Sequence, residues 1–344
     1  MVAYIRMTYS PMESNQWDYI LQSVTEGLNT PAPVGANLLE RPKLVHRSQI
    51  STPPDSAVGS PEQDRNLVSV STTFFPGADL DLVPADICLL SSDSVFFYVH
   101  SHRLLASSSN NFDAILPSPI PSIQRGEEPK ICIVPDDSAV MNILLHTIYN
   151  MSAAHYSPPT QSIIGAVESM VKYGIPIKAF IAPSTPLFLL LSAKAVINPI
   201  EIYTLAASLD IPELAEVTST HLLSYSLPSL TDDMAIKMGP VYLKRLFFLH
   251  LGRTEAFKRL LLPPPANHTA TAACDVEEQQ KLTRAWMLAT AYLAWEAKPD
   301  LNTTVIESAL CPLADHLTCE QCKRSLKNRV MELVMQWALI KKTI

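Results

Sequence analysis

Four residues whose types and spacing suit metal chemistry lie close together near the carboxy-terminal end of the printed sequence. The run CPLADHLTCEQC contains them within twelve residues: Cys311, His316, Cys319 and Cys322. Three thiolates and one imidazole are a known ligand set for zinc. Such a site would fill all four zinc positions with protein atoms, so it would brace the fold and leave no open position for catalysis.

Cys319 and Cys322 allow two further interpretations. Thr318 and Gln321 form a capping-box pattern, which predicts a helix with both cysteines in its first turn. A helix amino terminus favours the thiolate, which suits either a metal site or a redox pair. However, there is a single C-x-x-C pair, and cysteine often occupies a helical core as a small apolar side chain. The pattern therefore favours structural thiols with no metal, and zinc binding and redox activity remain alternatives.

The sequence lacks the local signatures of common catalytic sites. Phosphate-binding loops need closely spaced glycines, yet the chain has nine glycines and no G-x-G, G-x-x-x-x-G-K or G-x-S-x-G run. Without such a signature, scattered serines, histidines and aspartates do not identify a catalytic triad. The sequence therefore predicts a protein that is not an enzyme, with no catalytic residue and no cofactor.

Composition narrows the class of protein and its compartment. Hydrophobic residues make up 47% of the 344-residue chain and the formal net charge is -7, which argues against a nucleic-acid partner. The longest apolar stretch, 179–197, is interrupted by prolines and carries a lysine, so no membrane span is expected. The amino terminus does not resemble a secretory signal, and the six cysteines suit reduced thiols. An intracellular protein of the cytoplasm or nucleus is predicted.

A folded region begins with β-rich runs at 86–90 and 95–99, separated by a turn composition at 91–94 that predicts a hairpin. Apolar residues from 104 to 115 recur at helical spacing, and a short strand is expected at 131–134. Two further amphipathic helices follow, and the second ends at Tyr173-Gly174, where glycine suits a left-handed stop. From about residue 185 the pattern is helical.

The fold class predicted is α+β: a small mixed sheet flanked by helices, followed by an all-α carboxy-terminal region. The predicted organisation comprises a disordered Ser/Pro-rich tail (1–76), the sheet-and-helix domain (77–180), a helical region (181–265), a linker (266–280) and carboxy-terminal helices (281–344).

The stretch from ADICLL to KYGI resembles the BTB/POZ domain. That family has an Asp-containing strand, a second strand ending in an apolar-His pair, a helix ending near Ser and Phe, and later helices ending in Tyr and Tyr-Gly. The matching positions are Asp86, Val99, His100, Leu104, Phe112, Tyr149, Tyr173 and Gly174. The whole chain resembles BTB-containing proteins of mushroom-type fungi, and residues 199–262 stand where the helical BACK extension follows the domain.

The resemblance implies a protein–protein interaction module that forms a homodimer and recruits an unidentified partner. Asp86, His100, Leu104 and Phe112 would then set the structure. BTB dimers bury an apolar helix face and sometimes exchange an amino-terminal strand, so Phe74 and Phe75 are candidates for that interface or for the protein's own core. A substrate adaptor that binds a cullin scaffold and a zinc-braced transcriptional regulator are the alternatives.

Overall fold

The computed structural model describes residues 69–116 and 129–344. The predicted disordered tail lies outside the described residues as far as position 68. Its predicted boundary at 76 is too late, since Ser69 and Val70 already form a strand and Phe74 is fully buried. Among the described residues, no helix is both long enough and apolar enough to cross a bilayer.

Four strands form one mixed sheet in the order β1-β3-β2-β4. They are β1 (Ser69–Val70), β2 (Ile87–Leu90), β3 (Val95–Val99) and β4 (Lys130–Ile133). The predicted hairpin is confirmed: β2 and β3 pair antiparallel across a turn in which Ser94 takes a positive φ of 65°. The outer strands are parallel additions, β1 to β3 and β4 to β2.

Eleven α-helices occur within the described ranges. They are α1 (Ser101–Ser107), α2 (Ser138–Ile148), α3 (Thr160–Lys172), α4 (Ile177–Phe180), α5 (Pro186–Ala195), α6 (Pro199–Ser208), α7 (Pro212–Ser219), α8 (Asp232–Leu261), α9 (Val276–Trp295), α10 (Thr303–Leu310) and α11 (Glu320–Leu339). The predicted α+β class is observed.

Local sequence signals explain many of the helix ends. The Asp137 side chain accepts a hydrogen bond from the Val140 amide at the start of α2, and Asp275 does the same from Glu278 at the start of α9. Proline begins α5, α6 and α7, where its missing amide proton costs no helical hydrogen bond. Helix α8 is kinked at Gly239, which has a φ of 69° and immediately precedes Pro240.

The helix predicted across 104–115 is wrong beyond Ser107, where α1 ends. The Ser108 hydroxyl accepts from the Phe112 amide and donates to the Tyr173 carbonyl, and this local bonding competes with a continued helix. Residues 111–114 all take positive φ values and turn the chain back. Phe112 is thereby placed in the core by a turn.

Two apolar cores divide the described residues. The first runs from Phe74 to Leu246 and includes the inner face of the sheet and the helices α1 to α7. Residues before and after the predicted domain boundary at position 180 therefore belong to one core. The second core lies between Phe257 and Trp337, where α9, α10 and α11 pack on the end of α8. Helix α8 contributes to both cores, since Leu246 lies in the first and Phe257 in the second.

Candidate functional site

The described residues contain one group of soft metal ligands gathered by the tertiary structure, here called the Cys3His cluster. Its members are His268, Cys274, Cys319 and Cys322, whose ligand atoms all lie within 4.8 Å of one another. The sulfurs of Cys274 and Cys322 are 3.7 Å apart. The His268 Nε2 atom lies 3.3 Å from the Cys319 sulfur and 3.3 Å from the Cys322 sulfur.

This arrangement corrects the ligand set predicted from the sequence. Cys319 and Cys322 do belong to it, but Cys311 and His316 do not. Cys311 is exposed, and both it and His316 lie in a 3₁₀ turn before α11. The other two ligands, His268 and Cys274, come from the segment predicted to be a linker. Cys274 lies 48 residues before Cys322 in the sequence.

Two short elements position the four side chains. His268 and Cys274 lie on the connection between α8 and α9, where the backbones of Thr271 and Cys274 exchange two hydrogen bonds that close a tight turn. Cys319 immediately precedes α11 and Cys322 lies in its first turn. The predicted capping box is wrong, because the residue that caps α11 is Cys319 and not Thr318. The C-x-x-C spacing nevertheless brings both sulfurs to one end of the helix.

The imidazole of His268 is held so that one ring nitrogen faces the sulfurs. Its Nδ1 atom lies 2.8 Å from the Thr269 carbonyl oxygen, which can only accept, so Nδ1 carries the proton in the neutral ring. The lone pair then resides on Nε2, the nitrogen beside Cys319 and Cys322. The side-chain oxygen of buried Gln279 also accepts a hydrogen bond from the His268 amide at 3.1 Å. Supporting contacts of this kind orient histidine ligands in metal sites.

The three thiols differ in their local electrostatics. The backbone amide of Cys322, facing the Cys319 sulfur at the start of α11, lowers the pKa of Cys319 to about 7. Burial raises the pKa of Cys322 to about 12, and it also raises the pKa of Cys274. One sulfur is therefore disposed to ionise, whereas the other two need a nearby cation to become thiolates.

The positions that carry the BTB/POZ resemblance occupy the first core and its polar ties. The Asp86 carboxylate accepts hydrogen bonds from both the amide and the hydroxyl of Ser101, which joins β2 to the start of α1. His100 is 1% exposed and bridges two segments, with Nδ1 2.7 Å from the Tyr149 hydroxyl and Nε2 2.9 Å from the Val83 carbonyl. These contacts connect elements and leave neither side chain facing an open cleft.

Leu104 and Phe112 are both fully buried, and the Phe112 ring stacks on Tyr173 with centroids 4.0 Å apart. Phe74 is also fully buried. Its ring packs edge-on against Tyr149 with the two ring centroids 5.3 Å apart, so Phe74 covers the protein's own core. Phe75 is 45% exposed and available to a partner. Of the two neighbouring phenylalanines, one is therefore internal and one lies at the surface.

Sequence reasoning missed an apolar surface formed by the side of the sheet that faces away from the helices, here called the outer sheet face. Register places its residues in two rows across the strands: Val70, Phe96, Leu90 and Ile133 in one, and Tyr98, Cys88 and Ile131 in the other. Three of them are well exposed, namely Val70 at 44%, Ile131 at 57% and Ile133 at 72%. The two exposed isoleucines lie on β4, at one edge of the sheet.

One open depression of about 640 Å³ lies between the end of α1 and the segment after α3. Serines 107–109 and the backbone around Gly174 line much of it, and Lys178 is its one charged lining residue. An acid–base pair is absent from these lining residues, so the depression offers no basis for a catalytic mechanism.

Comparisons of this chain with protein-family models, with curated proteins and with solved structures found no match. The BTB/POZ resemblance therefore stays a prediction from the sequence pattern.

Proposed function

We propose that this chain is a non-catalytic protein–protein interaction module that forms a homodimer through its sheet domain and recruits a further protein. The observation that carries the proposal is the outer sheet face. Sheets with one face in solvent normally alternate apolar and polar residues along each strand. Here the side that should be polar is apolar on all four strands.

One of the two apolar rows continues from one edge of the sheet to the other, whereas the second has no member on β1 and its central residue, Cys88, is 1% exposed. Val70 lies on β1, Phe96 on β3, Leu90 on β2 and Ile133 on β4, each opposite the next. Isolated exposed apolar residues are ordinary on protein surfaces, but a contiguous apolar patch marks a contact site. The outer sheet face is a patch of this second kind.

The occupant proposed for this face is a second copy of the chain. Neither row contains a charged side chain, so two identical faces can approach without like-charge repulsion. Packing them about a two-fold axis would remove Ile131, Ile133 and Val70 from water in both copies at once. The BTB/POZ resemblance also predicts a homodimer of this domain, but the dimers of that family bury an apolar helix face, so the resemblance supports the association and not the choice of the sheet.

The test is sedimentation equilibrium on the full chain at micromolar concentrations. The unmodified protein should sediment as a dimer, and the double variant Ile131→Glu, Ile133→Glu should be monomeric, because two buried charges per copy would oppose association. Both side chains are exposed in the single chain, so their replacement should leave its fold intact. Circular dichroism checks that point directly.

The matched control is Ile236→Glu, a change of the same type at a residue on α8 that is 77% exposed and lies outside the outer sheet face. This variant should remain dimeric. The proposal fails if the unmodified chain is monomeric throughout the range, or if Ile236→Glu dissociates the dimer as fully as the double variant does.

A further inference from the structure

We infer that the Cys3His cluster binds one zinc ion, which holds the connection between α8 and α9 onto the start of α11. This inference concerns the second core and is independent of the dimer proposed for the sheet domain. The ligands would be the Nε2 atom of His268 and the sulfurs of Cys274, Cys319 and Cys322.

Three of the six distances between the ligand atoms lie close to the edges of a zinc tetrahedron, and all six are within 4.8 Å. With zinc–sulfur bonds of about 2.3 Å, two sulfurs at tetrahedral positions lie about 3.8 Å apart. The Cys274 and Cys322 sulfurs are 3.7 Å apart. A sulfur and a histidine nitrogen should be separated by about 3.5 Å in the same geometry. The two such distances to Nε2 are 3.3 Å.

Hydrogen bonding alone does not account well for this grouping. Cys274 and Cys322 are 2% and 4% exposed, and their thiols are weak donors. Only one acceptor lone pair is available on Nε2 of His268, yet two sulfurs approach it equally. A divalent cation at the centre would bond all four atoms and supply the charge that buried thiolates need.

The donor set selects the metal and its role. Thiolate and imidazole are the ligands that zinc prefers, whereas magnesium and calcium prefer oxygen. Four protein ligands leave no position for water or substrate, so the site is structural and not catalytic.

The connection between α8 and α9 needs such a brace. From Ala266 to Ala273 no side chain is buried, so this stretch contributes little apolar packing of its own. It is tied to α11 by the Ser325 hydroxyl, which donates to the Ala266 carbonyl at 2.6 Å. Zinc would add bonds from His268 and Cys274 to the two cysteines at the start of α11.

The first experiment measures zinc in the full chain after refolding with excess zinc and removal of unbound metal. One equivalent per chain is expected. Cobalt(II) in place of zinc should give intense visible bands of a tetrahedral site and a thiolate-to-cobalt charge-transfer absorption. Because the cobalt spectrum uses the unmodified chain, it does not depend on whether any variant folds.

The variants Cys274→Ser and His268→Ala should each lower zinc content at least fivefold. Matched controls are Cys311→Ser and His316→Ala, which alter the same residue types near α11 but outside the cluster, and both should retain one equivalent. Less than about 0.2 equivalents in the unmodified chain, or no thiolate-to-cobalt absorption, would overturn the inference. Equal loss of zinc in the Cys311→Ser control would also do so.

Discussion

Asp136, just before α2, connects the end of α3 to the hairpin turn, the first through its carboxylate and the second through its backbone carbonyl. The carboxylate accepts hydrogen bonds from the Tyr173 hydroxyl, from the Ser169 hydroxyl at 2.7 Å and from the Lys172 ammonium at 3.2 Å, all at the end of α3. The carbonyl of the same residue accepts from the Ser92 amide in the hairpin turn. Burial acts to raise the pKa of Asp136, but these donors outweigh it and the net pKa lies below its ordinary value.

A change of this carboxylate should therefore have a pH-dependent effect. A depressed folded-state pKa stabilises the fold above the unfolded value, about 4, and that stabilisation is lost as the pH falls through the folded value. We expect Asp136→Asn to reduce the free energy of unfolding by about 1 kcal/mol at pH 7, after allowance for solvent screening. Urea unfolding at pH 7 and pH 3 should show the difference shrinking in acid.

The control for this prediction is Asp79→Asn, which removes an exposed carboxylate of the same domain and should leave the unfolding midpoint unchanged. A deficit in Asp136→Asn that is equally large at both pH values would contradict the electrostatic explanation.

Gly174 is a second residue whose identity is dictated by local geometry. Its φ is +67°, and a Cβ atom there would lie 2.8 Å from the Asn110 side chain and 2.8 Å from the Ser109 hydroxyl. Gly174→Ala should lower the free energy of unfolding by about 2 kcal/mol, because the left-handed backbone and the contact both oppose a side chain. Thermal unfolding of the full chain measures this.

The opposite sign is expected for Gly252→Ala. Gly252 lies within α8 and has open space around its Cβ position, so alanine should stabilise the helix by about 0.5–1 kcal/mol. If the two alanine variants shift stability in the same direction, the conformational argument at Gly174 is wrong.

At the scale of elements, one buried arginine, Arg253, connects α8 to other segments of the second core. Arg253 of α8 is 3% exposed, and its Nε atom donates to the Pro299 carbonyl at 2.7 Å. Its Nη1 atom donates to the carbonyls of Ile340 and Lys341 just beyond α11, at 2.7 and 2.8 Å. The guanidinium also lies 4.3 Å from the centre of the Trp337 ring. One side chain thus connects α8 to the loop between α9 and α10 and to the residues that follow α11.

Replacement of this arginine by lysine should be costly although the charge is kept. A single ammonium cannot reach carbonyls on both sides, so buried acceptors lose their partners. We expect Arg253→Lys to lower the free energy of unfolding by about 3 kcal/mol. Urea unfolding monitored by fluorescence measures this change. Arg259→Lys, at an exposed position on the same helix, should have no measurable effect. Equal effects of the two changes would refute the role assigned to Arg253.

At the scale of the whole molecule, two cores meet on one long helix, and only the second contains the Cys3His cluster. Metal removal should therefore destabilise one part of the protein selectively. After chelation, hydrogen exchange should accelerate across 266–275 and the start of α11. Peptides from β2 and β3 should keep their protection, because their contacts lie in the first core.

The Cys311→Ser variant should show the same pattern as the unmodified chain. Uniform acceleration across both cores would mean that they unfold as one unit, and no acceleration anywhere would mean that the cluster does not brace the second core.

Much of the local structure was determined by the sequence itself. The hairpin of β2 and β3, the capped start of α2 and the stop at Gly174 each depend on residues within a few positions of one another. Turn chemistry, capping and left-handed glycine act over that range, so the pattern predicts them without knowledge of the fold.

The sequence pattern identified Cys319 and Cys322, but only the tertiary structure decided the other half of the Cys3His cluster and the whole of the outer sheet face. His268 and Cys274 lie in a segment that has no apolar period, and nothing in their spacing points to partners about 50 residues away. The outer sheet face likewise depends on the register of four strands, two of which join by parallel pairing from distant parts of the chain. Ligand geometry and strand register are set by packing between segments that are remote in the sequence. A sequence pattern does not show which remote segments lie close together in space.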